Sequence, residues 1–244
     1  TLGFCVNVRK MEMVTRRQIL SVISSVYDPL GVAGPFILGG KLMLQELIAM
    51  KTGWDEVISA SHECNWTRWL EDLPKLEALE VERSLKPEGF GVVVSRQLHH
   101  FSDASQVGYG AVSYLRLVND KGQVHCTIVM AKSRVAPLKR MTVPRLELAA
   151  ATVSARLNAV ITKELNMPID QTTYWTDSTT VLRYLMNETA RFQVYVANRL
   201  AIIKDESSPL QWRYVRSEDN PADDASRGVK AGTAFNMNRW LHGP

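Results

Sequence analysis

Four acidic positions, far apart along the 244-residue chain, carry the chemistry this sequence could do. Asp103 closes an apolar run (Leu98, His99, His100, Phe101) and leads into the small, turn-forming residues before Tyr109. That pattern reads as an acid at the end of one strand, with a turn into an antiparallel neighbour. Glu147 is expected in the first turn of a helix opened by Pro144, with Ala151 and Ser154 on its own face. Small residues there would let the helix approach a sheet closely and aim the carboxylate inward. Asp177 ends the β-branched and aromatic run QTTYWT, and Asp223 and Asp224 share a turn entering a short helix over 218–228. Two of these acids have an ordinary alternative role: turn chemistry for Asp103 and complementing the helix dipole for Glu147. Together they have a further use. Strands joined by a right-handed crossover become neighbours, which brings Asp103 beside Asp177. Clustered carboxylates repel unless a divalent cation neutralises them. Oxygen ligands without Cys or His select Mg²⁺ or Mn²⁺, and a pair of such ions clamps the attacking and leaving oxygens of a phosphodiester.

The elements that must position these acids follow from the hydrophobic pattern. Thr15 to Gln18 has the form of a capping box, and Ile19, Leu20, Ile23 and Val26 continue at helical spacing until DPLG stops the helix. A second helix starts near Pro35, and a third spans Ser61 to Leu79 with Trp66 and Trp69 as packing residues. Residues 1–88 therefore read as a small helical module without a catalytic constellation. From about residue 89 strands take over: Gly91 to Ser95 and Gln97 to Phe101 as a β-rich entry, then Tyr109 to Val118 and Gln123 to Lys132, with a turn at Asn119 to Gly122. Leu146, Ala150, Val153, Leu157, Val160 and Ile161 give the long helix one apolar stripe. Gln171 to Thr176 is a fourth strand, Ser178 caps a helix carrying Val181, Leu182 and Leu185, and Arg191 to Lys204 is a further helix. In that further helix Val194, Tyr195, Ala197, Leu200, Ala201 and Ile203 are the packing candidates, and Leu210 to Val215 is a fifth strand. The resulting order from residue 97 is β-β-β-α-β-α-α-β-α.

Composition sets bounds on the partners. A net charge of +4 permits a polyanionic partner without requiring one, and Lys132, Arg134, Lys139, Arg140 and Arg145 cluster around one loop. The three cysteines are odd in number and widely spaced, which predicts reduced core thiols of an intracellular protein rather than a disulfide framework. The most apolar run, Leu30 to Met50, is interrupted by Pro35, glycines, Lys41, Gln45 and Glu46, so no membrane span is expected. Thr1 in place of an initiator Met suggests a piece of a longer polypeptide.

Residues 98–228 resemble the ribonuclease H domain of Bel/Pao-type LTR retrotransposon polyproteins through FSDAS…GYGAV, KSRVAP…TVPRLELAAA, YWTDSTTVL and NPADDASRG. Residues 15–60, with SVYDPLG, PFILGGKLMLQEL and GWDE, resemble the connector that follows the reverse transcriptase, and NRWLHGP resembles the spacer leading toward the integrase region. The resemblance implies an α/β fold: a ribonuclease H-like mixed five-stranded sheet with flanking helices over 89–229, preceded by the helical connector 1–88 and followed by a spacer over 230–244. It also implies Asp103, Glu147, Asp177 and Asp223 as catalytic residues and ligands of two Mg²⁺ ions, with Mn²⁺ possible. Asp223 is preferred to Asp224 because NPAD matches the family pattern. The implied reaction is endonucleolytic hydrolysis of the RNA strand of an RNA–DNA hybrid during reverse transcription, leaving a 3′-hydroxyl and a 5′-phosphate. The basic cluster then becomes a backbone-binding surface. Further implied are reverse transcriptase and integrase as parts of the same polyprotein, and a cytoplasmic site in virus-like particles with possible nuclear entry.

One departure is that VRSEDNPAD lacks the histidine that cellular ribonucleases H carry just upstream of the last Asp, which implies slower proton shuttling or product release. An integrase or transposase core would place its Glu last, whereas here the Glu is second. A DEDD exonuclease would need an acid at position 105, which is Ser. The Pao region has also carried a peptidase family name, but the Asp-Thr/Ser-Gly triplet of an aspartic peptidase is absent. The alternative to a nuclease is a catalytically silent domain that binds nucleic acid or supports the polymerase.

Overall fold

A computed structural model describes residues 1–4, 13–229 and 237–244 of the chain. Cys5 lies outside the described residues. The elements in order are α1 (Arg16–Ser25), α2 (Gly34–Ala49), α3 (Ala60–Asp72), β1 (Val93–Ala104), β2 (Gly108–Asn119), β3 (Val124–Val135), α4 (Val143–Glu164), β4 (Gln171–Thr176), α5 (Thr179–Met186), α6 (Val194–Glu206), β5 (Trp212–Tyr214), α7 (Ala222–Arg227) and α8 (Met237–His242).

Local chemistry starts these elements where the pattern places them. The Thr15 hydroxyl accepts from the Gln18 N–H at 3.4 Å while the Gln18 carbonyl oxygen accepts from the Thr15 N–H at 3.0 Å, closing the capping box of α1. Thr15→Ala removes half of that exchange and is expected to lower stability by about 1 kcal/mol in urea unfolding. Pro35 and Pro144 occupy the first turns of α2 and α4, where a missing N–H costs nothing.

The five strands form one mixed sheet in the order β3-β2-β1-β4-β5. The β1, β2, β3 meander is antiparallel, while β4 runs parallel to β1 and β5 parallel to β4. This is the ribonuclease H-like mixed sheet with flanking helices. The parallel register ends at Ser102 opposite Thr176, so the next residues on the two strands are Asp103 and Asp177.

Helices cover both faces. Leu148, Ala151 and Ala155 of α4 pack with Tyr174 of β4, Val181 and Leu185 of α5 and Leu200 of α6, while Val153, Leu157 and Ile161 of α4 pack with Leu98, Ala111 and Leu115 of the meander. On the other face α1–α3 share one core with the sheet: Ile19, Ile37, Trp66 and Trp69 are buried together with Phe101, Val112, Ile128 and Ala131. Trp66 and Trp69 are stacked with ring centroids 4.8 Å apart, and the Trp69 indole donates to the Phe36 carbonyl at 2.9 Å. The fully buried Trp240 of α8 joins the same core and donates to the Val32 carbonyl at 2.8 Å.

Three expectations need correction. Val160 is 46% exposed because α4 buries Leu148, Ala151 and Ala155 instead; a helix wedged between two clusters does not keep a single stripe. In α6 the inward positions are Val196, Leu200 and Ile203, whereas Val194 is 75% exposed and Ala197 and Ala201 also face out. Cys64 is an exposed thiol on α3 rather than a core residue. Cys126 is half-buried, and that burial pushes its pKa up to about 11. Among the described residues no helix is long and apolar enough to cross a membrane.

Candidate active site

The sheet delivers two of the four acids and the helices on its opposite faces deliver the others. Asp103, the penultimate residue of β1, is 6% exposed. It accepts a hydrogen bond from the Ser226 hydroxyl of α7. That helix lies close over the meander because Gly110 carries no side chain: a Cβ there would stand 2.8 Å from the Ala225 Cβ and 2.6 Å from the Lys132 carbonyl oxygen. Asp177 follows β4 and accepts from the Ser217 hydroxyl. Glu147 is half-buried on α4 and accepts from the Ser178 hydroxyl at 2.5 Å. Ser178 also caps α5 by accepting from the Val181 N–H at 3.2 Å, so one hydroxyl ties two helices together beside the site. Asp223 on α7 accepts from the Arg227 guanidinium one turn on, at 2.5 Å.

Glu147 lies five residues into α4, whose first turn holds no acid. The expected first-turn placement is therefore off by one residue, and the helix-dipole explanation is weakened, since that effect falls off within the first turn.

Electrostatics shows the four acids acting on one another. Burial pushes Asp103 up to about 6, with the Ser226 bond opposing and repulsion from Asp177 and Asp223 adding to the rise. Burial also raises Glu147, opposed by Ser178 and reinforced by Asp177. Asp224 belongs to a different neighbourhood. Its carboxyl is raised by burial, is stabilised by Arg239, and acts on Tyr114 on the far side of α7. Adjacent residues on a helix point about 100° apart, which explains why only one of the pair turns toward Asp103.

The donor set is all carboxylate oxygen, which fits a hard divalent cation and no soft metal. Among the described residues, however, no three His, Cys, Asp or Glu side chains are posed to grip an ion together. Each acid is turned to its own hydroxyl or guanidinium instead, which is the low-energy arrangement for crowded carboxylates. Neither nearby histidine joins them. His100 is fully buried between Ser113 at 2.7 Å and Asn158 at 3.1 Å, and burial pushes its pKa down to about 3, so it is a neutral core residue. His99 Nδ1 accepts from the Trp175 indole at 3.1 Å.

The expected basic cluster is only partly a single surface. Lys132 and Arg134 are exposed on the edge strand β3, and Lys139 and Arg140 are exposed on the loop into α4. Because β1 and β3 both run antiparallel to β2, these residues lie at the same end of the sheet as Asp103. Arg145 is half-buried, donates to the Gln193 side chain at 2.8 Å and stands over the Tyr195 ring at 5.5 Å. Sequence reasoning missed Ser178, Ser217, Ser226 and Arg227 as partners of the acids. Only Ser178 carried a local signal, as a helix cap.

The strand order and directions carry the fold assignment. The archaeal ribonuclease H1 of Halobacterium salinarum NRC-1 is 16% identical, matching 54% of this chain and 93% of its own length with a TM-score of 0.35. The N-terminal ribonuclease H domain of Rv2228c from Mycobacterium tuberculosis is 12% identical over 54% of this chain and 91% of its own, with a TM-score of 0.37. A foamy viral protease–reverse transcriptase in complex with double-stranded DNA is 15% identical over 91% of this chain and 38% of its own, with a TM-score of 0.34. No curated protein matches the sequence. The model of one family, described as the Pao retrotransposon-like RNaseH-like domain, matches residues 15–178, which include Asp103, Glu147 and Asp177. That span is most of the chain, and the chain belongs to this Pao retrotransposon family of ribonuclease H-like domains.

Proposed function

We propose that the domain is a metal-dependent endonuclease that hydrolyses the RNA strand of RNA–DNA hybrids. The observation that carries this reading is the parallel register of β1 and β4, which ends at Ser102 opposite Thr176 and so sets Asp103 beside Asp177, with Asp223 of α7 near enough to repel Asp103. A fold keeps a carboxylate at such a cost where function uses it. Asp103, Glu147, Asp177 and Asp223 would hold the ions. Paired Mg²⁺ or Mn²⁺ would supply an activated water and neutralise the leaving oxygen. The chain's own part is to fix the acids: Ser226 and Ser217 orient Asp103 and Asp177, and Ser178 orients Glu147. Lys132, Arg134, Lys139, Arg140 and Arg145 would take up backbone phosphates. In the same proposal residues 1–88 are a connector after a reverse transcriptase, 89–229 the nuclease domain and 230–244 a spacer toward an integrase. The chain would then act within a polyprotein, in cytoplasmic particles.

A catalytically silent, nucleic-acid-binding domain is the second reading, favoured by the absence of a preformed ion grip among the described residues. Incubating the chain with a labelled RNA–DNA hybrid and Mg²⁺ separates the two. The nuclease reading expects RNA fragments with 3′-hydroxyl ends, no cleavage of double-stranded DNA, and complete loss in EDTA. Tight hybrid binding without any cut in Mg²⁺ or Mn²⁺ would establish the silent reading.

A further inference from the structure

The helical module does more than cover the sheet. Between α1, α2 and the edge strand β3 lies an open cleft of about 360 Å³, lined by Asp28, Lys41, Lys132 and Ser133 among others. None of its α1 and α2 wall belongs to the five-stranded sheet. Its charge is net positive. Asp28 spends both carboxylate oxygens on the backbone N–H groups of Val32 and Ala33, each at 2.9 Å. Lys41 and Lys132 repel one another, and desolvation together with that repulsion lowers the Lys41 pKa, with Asp28 opposing. Both lysines are exposed, and neither forms a salt bridge with a described acid. The Ser133 hydroxyl in the cleft wall is shielded from solvent and has no hydrogen-bond partner among the described residues, a state that costs free energy until something accepts from or donates to it.

Two lysines against a single acid whose oxygens are taken up by backbone N–H groups, beside a hydroxyl without a partner among the described residues, leave a net positive cleft that suits a phosphate group. The cleft's place in the sheet says which phosphate. Gly110 pairs with both Asp103 and Ser133, so the cleft wall and the catalytic acid share one register row, two strand spacings or about 10 Å apart. A duplex carries a backbone charge about every 3.4 Å of axis on each strand, so one engaged at Asp103 has further phosphates within reach of the cleft. We propose that the cleft of Lys41, Lys132 and Ser133 binds a backbone phosphodiester of the nucleic-acid duplex, which makes the helical module part of the substrate surface. This rests on the nuclease reading for its ligand but not on cleavage.

The test is binding of a fluorescent RNA–DNA hybrid to the 244-residue chain in EDTA, by anisotropy at several salt concentrations. Lys41→Gln is expected to weaken binding several-fold and to reduce the slope of log affinity against log salt by about one. Lys163→Gln removes an equal charge at the far end of α4 and is expected to change neither. The melting temperature of each variant is measured alongside, with Lys41→Met as a second variant that keeps the aliphatic stem. Equal slopes for wild type and both Lys41 variants overturn the proposal while leaving the nuclease reading standing if the wild type cleaves. Equal losses for Lys163→Gln and Lys41→Gln also overturn it, as a non-specific charge effect. Stabilisation of the wild type but not Lys41→Gln by inorganic phosphate, with hybrid affinity unmoved, assigns the cleft to free phosphate and likewise overturns it. A wild type that neither binds nor cleaves the hybrid sinks the nuclease reading and the phosphodiester assignment together.

Discussion

Asp103→Asn is expected to abolish hybrid cleavage while making the metal-free protein more stable at neutral pH. A metal ligand at the reacting phosphate is worth several kcal/mol in the transition state, and about 4 kcal/mol corresponds to a thousandfold in rate. A loss of about 10³-fold or more is therefore the expected reading in Mg²⁺. The stability effect has the opposite sign. Asp103 is 6% exposed, and its pKa is pushed up to about 6 by burial first, with Asp177 and Asp223 adding repulsion. The folded pKa lies above the ordinary value of 3.8, so the unfolded chain releases its proton first. Stability is then lost as pH rises from about 4 to about 6, and the loss is complete above that. At pH 7 the ionised side chain costs up to about 3 kcal/mol. Asparagine can still accept from the Ser226 hydroxyl but carries no charge. Urea unfolding in EDTA should show the Asp103→Asn variant ahead of wild type at pH 7.5 and level with it near pH 3.5. Glu147→Gln should lose cleavage in the same way, with a smaller gain in stability because Glu147 keeps more contact with solvent. An Asp103→Asn protein that still cuts, or that is less stable than wild type at pH 7.5, would mean that the acid is structural.

The site was legible in the sequence only where local pattern or topology decides a position. The positions of Asp103 and Asp177 follow from strand ends and one crossover rule, both local or topological. The small residues Ala151 and Ser154 signalled close approach of α4 to the sheet, and both are fully buried; nothing in the sequence marked Gly110 as the place where α7 comes close. Pro144 marks the start of α4, but Thr142 caps it without a side-chain bond, so the start is fixed only to within a residue and Glu147 falls just past the first turn. The hydroxyls were harder still. Ser226 reaches Asp103 across 123 residues and Ser217 reaches Asp177 across 40, and a serine has no pattern that announces a distant carboxylate. The α6 register failed for a related reason. Its apolar residues surround the helix, and only packing on α4 and α5 decides that Val196, Leu200 and Ile203 go in. The module itself was legible as helices, but its union with the sheet depends on Trp66, Trp69 and Trp240 meeting residues far away in the sequence.

Gly31→Val should show how tightly that union is made. Gly31 has φ of +74°, and a Cβ there would lie 1.8 Å from the Ala131 carbonyl oxygen and 2.7 Å from its carbonyl carbon, atoms of the β3 backbone that cannot rotate away. Beside it the Ala131 N–H donates to the Leu30 carbonyl at 2.8 Å, so this segment caps an edge strand that would otherwise offer unpaired groups to another chain. Any side chain must push the segment off β3 and disturb Val32, Ala33 and Phe36, which are buried in the shared core. The expected cost is about 3 kcal/mol or more in urea unfolding, from left-handed strain plus the backbone clash. Gly89→Ala supplies the comparison, since Gly89 has φ of +72° with nothing within 4 Å of a Cβ. It should cost only the strain, about 1–2 kcal/mol. The difference between the two variants, beyond the extra strain of a β-branched residue at positive φ, reports the docking contact. Amide exchange at Ala131, slow in wild type and fast in Gly31→Val, would place the damage at the edge strand. Equal costs for the two glycines, with Ala131 still protected, would mean that the helical module and the sheet are held together elsewhere.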